Sequence, residues 1–295
     1  MKEDTPSSTA FTVLQGLMYI AGHPRYSYLV NDEIAKTGKQ ILSASDKGLK
    51  LLKQLKSPFF KVLFRLGEKA LMPGITLHYA LRKSYIEDIT RQAIADGKTQ
   101  VISLGAGFDT LEWRLHTEFP DINFIEIDHP ATSAFKAKAL FGENSSPSNL
   151  HLLAVDFSKQ SLLEALGPFA GFDATRPTHF ICEGVLPYLL EKDVVILLNS
   201  LNELTGKGTR FVFSSVAPMD SPNNNTGPLL NLYLFFIKES LNWTIESVDI
   251  PAFLEKNGFK FIESASVETF RDRYLAKDHE GELHRGEYLI LSEIP

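Results

Sequence analysis

The chain has 295 residues, of which 44% are apolar, a net charge of −6 and a pI near 5.8. This length and apolar content suffice for a large core in one α/β domain with an appendage. The acidic balance disfavours a non-specific grip on nucleic acid, which needs a basic surface. The single cysteine, Cys182, excludes an internal disulfide framework and suits a reducing compartment. The N-terminus lacks a basic-then-apolar signal pattern and no uncharged apolar run reaches about 18 residues, so we expect a cytoplasmic protein without a membrane span.

Helical patterns dominate the region ahead of the first predicted strand. Residues Ser7–Ile20 form a predicted helix with serine at its start, and a shorter helix covers Asp32–Lys39. Lysines alternate with apolar residues over Lys47–Ala70, which is typical of a basic amphipathic helix, here broken near Ser57-Pro58. Such a segment binds a membrane surface or a partner helix, or it packs its Leu/Phe face over the core. We expect the Leu/Phe face to pack over the core, with the lysines in water.

A longer helix is predicted within the run MPGITLHYALRKSYIEDITRQAIADGK. Its two adjacent cations, Arg82 and Lys83, are followed by Glu87 and Asp88, which can satisfy them locally. For Lys83 we therefore expect a solvated i,i+4 pair.

The stretch Gln100–Asp128 predicts a β–loop–α–β unit. In order it contains a buried strand Val101–Leu104, a turn Gly105-Ala106-Gly107, the helix-starting pair Asp109-Thr110, and a second strand Asn123–Ile127 that ends in Asp128. Glycines at a helix N-terminus let a nucleoside ligand lie against the backbone. An acid about 20 residues further on can accept both ribose hydroxyls, and Asp128 follows Gly107 by 21 positions. The unit therefore predicts a nucleoside site, with a plain tight turn as the alternative.

The third glycine of the dinucleotide fingerprint is replaced by Thr110. This replacement argues against close helix–strand packing around a pyrophosphate, although it does not exclude NAD.

Later strands also end in acidic residues. The predicted strand His151–Val155 is followed by Asp156 and Phe157, and the strand Thr178–Cys182 is followed by Glu183. An acid beside an apolar residue suits the exocyclic amine and the flat face of adenine. The alternative role of Asp156 is to cap a helix over residues 158–166, and the two roles can coexist. Ligands of open α/β sheets bind at the carboxyl edge of the strands, where these residues are expected.

The last eighty residues are less regular at first. A fifth strand, Thr209–Ser215, precedes a flexible turn and an apolar helix over Leu229–Trp243 that either lines a substrate pocket or joins the core. A short helix from Ile250 and two final strands, starting at Phe259 and Glu287, complete the chain.

The segments LGAGFDTLEWRL, FIEIDHP, AVDF and FICEGVLPYL, in this order, resemble the leucine carboxyl methyltransferase family of S-adenosylmethionine-dependent O-methyltransferases. That family includes phosphatase carboxyl methyltransferases and bacterial polyketide O-methyltransferases. The resemblance implies an α/β, Rossmann-like class I methyltransferase fold, with a seven-stranded, mostly parallel sheet flanked by helices. It further implies a helical cap over residues 1–98, a core over residues 99–295, and a substrate-pocket insertion at about residues 216–249.

The resemblance also implies the roles of individual residues. Arg82 should bind the methionine carboxylate of the cofactor, which a guanidinium can grip with two hydrogen bonds. Asp128 should accept the ribose hydroxyls, Asp156 and Phe157 should meet the adenine, and Glu183 should lie beside the methionyl amine or sulfonium. The full predicted cofactor set is Arg82, Gly105, Ala106, Gly107, Asp109, Asp128, His129, Asp156, Phe157 and Glu183. The phosphatase-directed members use an N-terminal lysine as well, and the run RYSYLVNDEIAKTG offers no clear counterpart.

The expected reaction transfers a methyl group from S-adenosyl-L-methionine, yielding S-adenosyl-L-homocysteine, to a carboxylate or hydroxyl of a small molecule. A carboxylate acceptor needs no general base, whereas a phenol or alcohol needs one. Side chains that could lie near the acceptor are His78, Tyr79, Tyr188 and His179. Tyr188 is the leading pocket residue, with aromatic packing at a helix start as its alternative. No catalytic base is assigned, and scattered histidines predict no metal site.

Three alternatives stay open at this stage. They are a cofactor-binding protein without turnover, methylation of a protein C-terminal carboxylate, and a nicotinamide-dependent oxidoreductase. The sequence identifies neither the acceptor nor the oligomeric state.

Overall fold

The computed structural model describes residues 5–227, 229–230 and 240–295. The helices ahead of the sheet are α1 (Ser8–Ala21), α2 (Asp32–Ser43), α3 (Asp46–Gln54), α4 (Pro58–Leu71) and α5 (Ile75–Ala95). The strands are β1 (Gln100–Leu104), β2 (Asn123–Asp128), β3 (Leu150–Ala154), β4 (Thr178–Cys182), β5 (Arg210–Val216), β6 (Lys260–Ala265) and β7 (Glu287–Glu293). The helices between and after them are α6 (Leu111–Glu118), α7 (Pro130–Phe141), α8 (Leu162–Leu166), α9 (Glu191–Leu204), α10 (Ile250–Lys256) and α11 (Val267–Tyr274).

The strands form one seven-stranded sheet in the order β3-β2-β1-β4-β5-β7-β6. The pairs from β3 to β5 are parallel, whereas β7 runs antiparallel to both of its neighbours. The predicted fold class, a mostly parallel sheet flanked by helices, is confirmed. Strands such as β1 and β4 are buried at every residue. This is typical of parallel sheets, whose strands are covered by helices on both faces.

The strand order fixes where the acidic residues lie. Parallel strands β3, β2, β1 and β4 bring their carboxyl ends to one edge of the sheet, side by side. Because β7 is antiparallel, its amino end reaches that same edge, and Glu287 pairs with Val216 at the end of β5. The edge therefore collects residues from the ends of five strands and from the start of a sixth.

The N-terminal helices bear out some predictions and overturn another. Ser7 caps α1 by accepting the N–H of Ala10 at 3.2 Å, and the basic segment breaks at Ser57-Pro58 between α3 and α4, as expected. However, α4 has no buried residue, so the expected packing of its whole apolar face over the core is wrong. Only one side of α4 touches the fold, chiefly through the half-buried Phe64.

Two further features bear on the sequence predictions. The predicted apolar helix over Leu229–Trp243 falls for the most part outside the described residues. Within the described ranges, none of the helices combines the length and the apolar character needed to cross a bilayer.

Candidate functional site

The turn after β1 is shaped for close approach to the backbone. Gly105 and Gly107 have φ values of +71° and +53°, a region that side-chain-bearing residues rarely adopt. A Cβ added to Gly105 would lie 2.4 Å from Cγ2 of Val185, so no side chain fits there. The N–H groups of Gly105 and Ala106 both donate to the carbonyl of Ile127, at 2.8 and 3.2 Å, which ties the turn to β2.

Asp128, the last residue of β2, faces this turn. One of its carboxylate oxygens accepts the N–H of Gly107 at 2.6 Å, and the other accepts the N–H of His129 at 2.7 Å. Burial raises the pKa of Asp128, and the two N–H donors oppose that shift. Each oxygen keeps a lone pair beyond these bonds, so the carboxylate can accept two further hydrogen bonds.

The residues after β3 are adjacent to this acid. His129 Nε2 lies 3.9 Å from Asp156 Oδ2, which connects the ends of β2 and β3. Asp156 accepts the N–H and the hydroxyl of Ser158 at 3.0 and 2.6 Å, and these hydrogen bonds hold its pKa at about 2. Its neighbour Phe157 is 42% exposed, a large apolar side chain left on the surface. The alternative role of Asp156 as a helix cap is wrong, because α8 begins only at Leu162 and is capped by Ser161.

Asp109 occupies the N-terminus of α6. Its Oδ1 accepts the N–H groups of Thr110 and Leu111 at 2.6 and 3.2 Å. Burial raises its pKa, but the charge and hydrogen bond of Lys83 outweigh burial and bring the pKa to about 2. Asp109 is therefore a carboxylate that uses two of the amides at the start of the helix for itself.

Lys83 corrects the sequence analysis. Its Nζ bridges Asp109 Oδ2 at 2.6 Å and Glu183 Oε2 at 2.8 Å, and its side chain is largely buried. The predicted solvated pair with an acid on its own helix is wrong, because Glu87 instead binds Arg91 and Arg114. Burial lowers the pKa of Lys83, but the two carboxylates more than offset burial and raise it overall.

Arg82 lies beside this bridge, and its partners also differ from those expected. Nε donates to Glu183 Oε1 at 2.6 Å, and Nη1 donates to both oxygens of Glu287 at 2.6 Å. A side chain on Gly184 would come within 3.8 Å of Nη2, which places that nitrogen at the turn after β4. Burial lowers the pKa of Arg82, while Glu183 and Glu287 raise it more, so the guanidinium stays charged in the interior.

Two histidines extend the cluster away from the turn. His78 Nε2 donates to Glu287 Oε2 at 2.9 Å, and the ring of His284 packs edge-on at 5.4 Å. Burial, with a further contribution from His78, lowers the pKa of His284 to about 3. The candidate His179 is excluded as a base near an acceptor, because it is fully buried near the amino end of β4. Its pKa is lowered to about 3, chiefly by burial.

A second buried ionic group lies behind the glycine turn. Lys136 of α7 binds Glu126 of β2, and Glu112 of α6 binds the hydroxyl of Ser103. Burial raises the pKa of Glu126 to about 8, even though Lys136 opposes the shift. One oxygen of each glutamate has no hydrogen-bond partner among the described residues. These contacts were not predicted from the sequence, and they join α6 to β1 and α7 to β2.

Tyr188 ends a 3₁₀ turn, Leu186–Tyr188, that follows Glu183 and Gly184. Its carbonyl accepts the side-chain amide of Asn242 at 2.8 Å, and the Asn242 N–H donates to Pro187 at 2.8 Å. The described end of the predicted insertion, residues 240–249, therefore contacts the turn that carries Tyr188.

Most of the predicted cofactor residues lie in one row along the sheet edge, together with Lys83 and Glu287. From β3 to β7 the row runs Asp156, His129, Asp128, Gly107, Asp109, Lys83, Glu183, Arg82 and Glu287, with the contacts given above. Lys83 and Glu287 were missed. A signal for Glu287 existed, because an antiparallel final strand must start at the carboxyl edge of the others.

Comparison with known proteins identifies the group to which this arrangement belongs. The profile of the leucine carboxyl methyltransferase family matches residues 21–202, more than half of the chain. The chain belongs to the leucine carboxyl methyltransferase family. Family membership confirms the sequence-based assignment and its cofactor, S-adenosyl-L-methionine.

Individual relatives agree with this membership. A candidate S-adenosyl-L-methionine-dependent methyltransferase of Saccharopolyspora erythraea is 33% identical over 150 residues, covering 50% of this chain and 51% of that protein. A Mycobacterium tuberculosis protein of the same description is 36% identical over 142 residues, covering 48% of this chain and 40% of its own length. The chain thus spans about half the length of the curated relatives it matches. A solved structure of a candidate methyltransferase from Thermobifida fusca shares the fold, with a TM-score of 0.56 at 14% identity, covering 99% of this chain and 96% of that one.

Proposed function

We propose that the chain is an S-adenosylmethionine-dependent O-methyltransferase whose acceptor is a carboxylate or hydroxyl of a small molecule. The observation that carries the choice of cofactor is the position of Asp109. In dinucleotide-binding folds the pyrophosphate sits on the first amides of the helix after β1. Here the carboxylate of Asp109 takes those amides, so a second anion at that point would be repelled. The position of Asp109 disfavours NAD more directly than the missing third glycine does.

The charge of the buried ion pairs around Arg82 and Lys83 supports the same choice. Three acids, Asp109, Glu183 and Glu287, face two cations, Arg82 and Lys83, which leaves a net charge of −1. S-adenosylmethionine carries a sulfonium, an ammonium and a carboxylate in its reactive half, for a net charge of +1. In a largely buried site this complementarity favours the cofactor over a neutral or anionic nucleoside.

The remaining predicted contacts fit the rest of the cofactor. Asp128 has lone pairs beyond its two backbone bonds, and we propose that they accept the ribose hydroxyls. Phe157 presents an exposed face for adenine, next to the acid Asp156. We propose Arg82 for the methionine carboxylate, through the nitrogen that lies beside Gly184.

The bound cofactor supplies an activated methyl group on sulfur, so the protein's part is to orient the reactants and to exclude water. We propose that residues 1–98 form a cap that excludes water from the core at residues 99–295. Supporting observations place α1 at the glycine turn: a Cβ added to Gly107 would lie 3.4 Å from Cβ of Ala10, and the rings of Phe11 and Phe108 are 4.9 Å apart. A carboxylate acceptor then needs no base, and we propose Tyr188, together with the insertion at residues 216–249, for the acceptor pocket.

Calorimetric titration tests the cofactor site. Wild type should bind S-adenosylmethionine and S-adenosylhomocysteine but not NADH. Asp128→Ala should bind both at least about 100-fold more weakly, because two hydrogen bonds to a charged group contribute about 1.5 kcal/mol or more each. Asp128→Asn removes the charge but keeps an acceptor oxygen for one of the two backbone N–H groups, so comparison with Asp128→Ala shows how much of the loss comes from the turn. Asp272→Ala, at an exposed acid outside the proposed site and insertion, is the matched control.

Turnover assays with a panel of carboxylic acids, phenols and a peptide with a free C-terminus then test the reaction. Methylation of small molecules supports the proposal. Methylation of the peptide alone would favour a protein carboxylate as acceptor. Tight cofactor binding with no product from any acceptor would favour a binding protein without turnover, and binding of NADH alone would refute the assignment.

A further inference from the structure

The outward side of α4 is an apolar stripe in contact with water. Phe59, Val62, Leu63 and Leu66 are 74%, 57%, 51% and 60% exposed. These positions follow the i, i+3, i+4, i+7 spacing, so they lie along one side of the helix. We call these four residues the α4 stripe. Large apolar side chains exposed singly are ordinary, whereas four in a row on one helix mark an interaction surface.

The opposite side of α4 attaches the helix firmly to the fold. Arg65 Nε donates to the hydroxyl of Tyr19 at 2.7 Å, and Glu68 accepts the N–H of Thr76 at 3.0 Å. The ring of Phe64 packs on that of Tyr19 at 5.3 Å. The stripe is therefore held outward by contacts on both α1 and α5, and it presents a preformed surface.

The charge of the segment that contains α4 indicates which kind of partner the stripe binds. Residues 46–71 carry seven basic side chains and two acidic ones, a net charge of +5 in a chain of net −6. The rest of the chain therefore carries −11. The basic residues are Lys47, Lys50, Lys53, Lys56, Lys61, Arg65 and Lys69. On a helical wheel Lys69 lies directly beside the stripe, whereas Lys61 projects from the other side of the helix, and both are exposed.

We propose that α4 binds the surface of an anionic lipid bilayer, with the α4 stripe inserted among the acyl chains, Lys69 at the headgroups, and the net positive charge of residues 46–71 drawn to the anionic surface. An amphipathic helix with a basic polar side lies in the plane of such an interface. The acidic remainder of the chain is repelled by the same surface, which orients the protein with α4 towards the lipid. A second copy fits less well, because two stripes in contact would bring together two segments of charge +5.

The test measures binding of the full chain to vesicles of phosphatidylcholine, with and without phosphatidylglycerol, by sedimentation. We expect binding only to the anionic vesicles, and loss of binding at about 1 M salt, where the Debye length is about 3 Å. Phe59→Ser with Leu63→Ser should abolish binding with little change in melting temperature, because half or more of each side chain is exposed to water. Ile196→Ser with Ile262→Ser, at exposed apolar residues elsewhere, is the matched control and should bind as wild type does.

A charge variant tests the second half of the proposal. Lys69→Glu should weaken binding by at least about fivefold, since each basic residue near an anionic surface strengthens partitioning roughly fivefold. Lys207→Glu with Lys256→Glu, at exposed lysines outside α4, should have little effect. The proposal is overturned if wild type binds neither vesicle, binds both equally, or binds as well after loss of the stripe. It is also overturned if light scattering shows a wild-type dimer that the stripe variant converts to a monomer. None of these readouts depends on the methyltransferase reaction.

Discussion

Replacing Lys83 by methionine tests the ionic bridge at the centre of the candidate site. Lys83 joins Asp109, at the start of α6, to Glu183, at the end of β4, and all three side chains are largely buried. Methionine preserves most of the length and the apolar stem of lysine but removes the charge. The two carboxylates would then face each other with only Arg82 to balance them, so the folded state should lose stability at neutral pH.

The pKa shift of Asp109 sets the lower end of the expected loss in free energy of unfolding. Its pKa falls from 3.8 to about 2, and at about 1.36 kcal/mol per pKa unit this corresponds to about 2.4 kcal/mol. Removing one partner of a buried ion pair costs about 3–5 kcal/mol in other proteins, which sets the upper end. At roughly 2 °C per kcal/mol for a chain of this size, the melting temperature should fall by about 5–10 °C.

The lowered pKa of Asp109 predicts how the stabilisation by this bridge depends on pH. Because the folded pKa of Asp109 lies below its unfolded value, the stabilisation is complete above pH about 4 and is lost as the pH falls through about 2. The pKa of Lys83 is raised, so the stability that Lys83 contributes through its own charge is lost only as the pH rises into the alkaline range. The difference between wild type and Lys83→Met should therefore be largest near neutral pH and should narrow between pH 4 and pH 2.

Urea unfolding, followed by tryptophan fluorescence at several pH values, measures both quantities. Lys207→Met, at an exposed lysine, is the control and should stay within about 0.5 kcal/mol of wild type. If Lys83→Met is equally mild at pH 7, or if its deficit does not change between pH 4 and pH 2, the bridge does not exist in solution.

Further predictions concern the neighbouring residues. Arg82→Lys should raise the KM for S-adenosylmethionine at least about tenfold. An ammonium cannot reproduce the fork that binds Glu183 and Glu287 together and leaves a nitrogen for the methionine carboxylate of the cofactor. An unchanged KM would contradict the proposed contact with that carboxylate. Gly105→Ala should abolish cofactor binding in calorimetry, because the new methyl group would overlap the Val185 side chain and the φ of +71° is strained for alanine. His179→Gln should leave kcat per folded enzyme within about twofold, and a larger loss would return this buried residue to the list of candidate bases.

Local patterns in the sequence predicted most of the architecture. Apolar runs located all seven strands within one or two residues, and a cap such as Ser7 or a break such as Ser57-Pro58 marked helix boundaries correctly. These features depend on neighbours in the chain, through hydrogen bonds to nearby amides and through side-chain periodicity. The row of acids at strand ends was also predictable, because parallel strands bring their carboxyl ends to one edge.

Partners distant in the chain were not predictable in the same way. Lys83 lies four residues from Glu87, yet it binds Asp109 and Glu183, which are 26 and 100 positions away. The local pair keeps both charges in water, where an ion pair contributes little, whereas the distant carboxylates surround the ammonium in the interior. The exposure of α4 was equally undetermined, because an apolar stripe reveals that a helix needs cover but not whether the fold supplies it.

The sequence by itself therefore determined the family, the sheet and the set of acids that meet at its edge. Only the tertiary structure decided which cation neutralises each acid and which helix face stays in water. The physical reason is that strand order and the antiparallel entry of β7 bring residues more than 200 positions apart, such as Arg82 and Glu287, into hydrogen-bond contact.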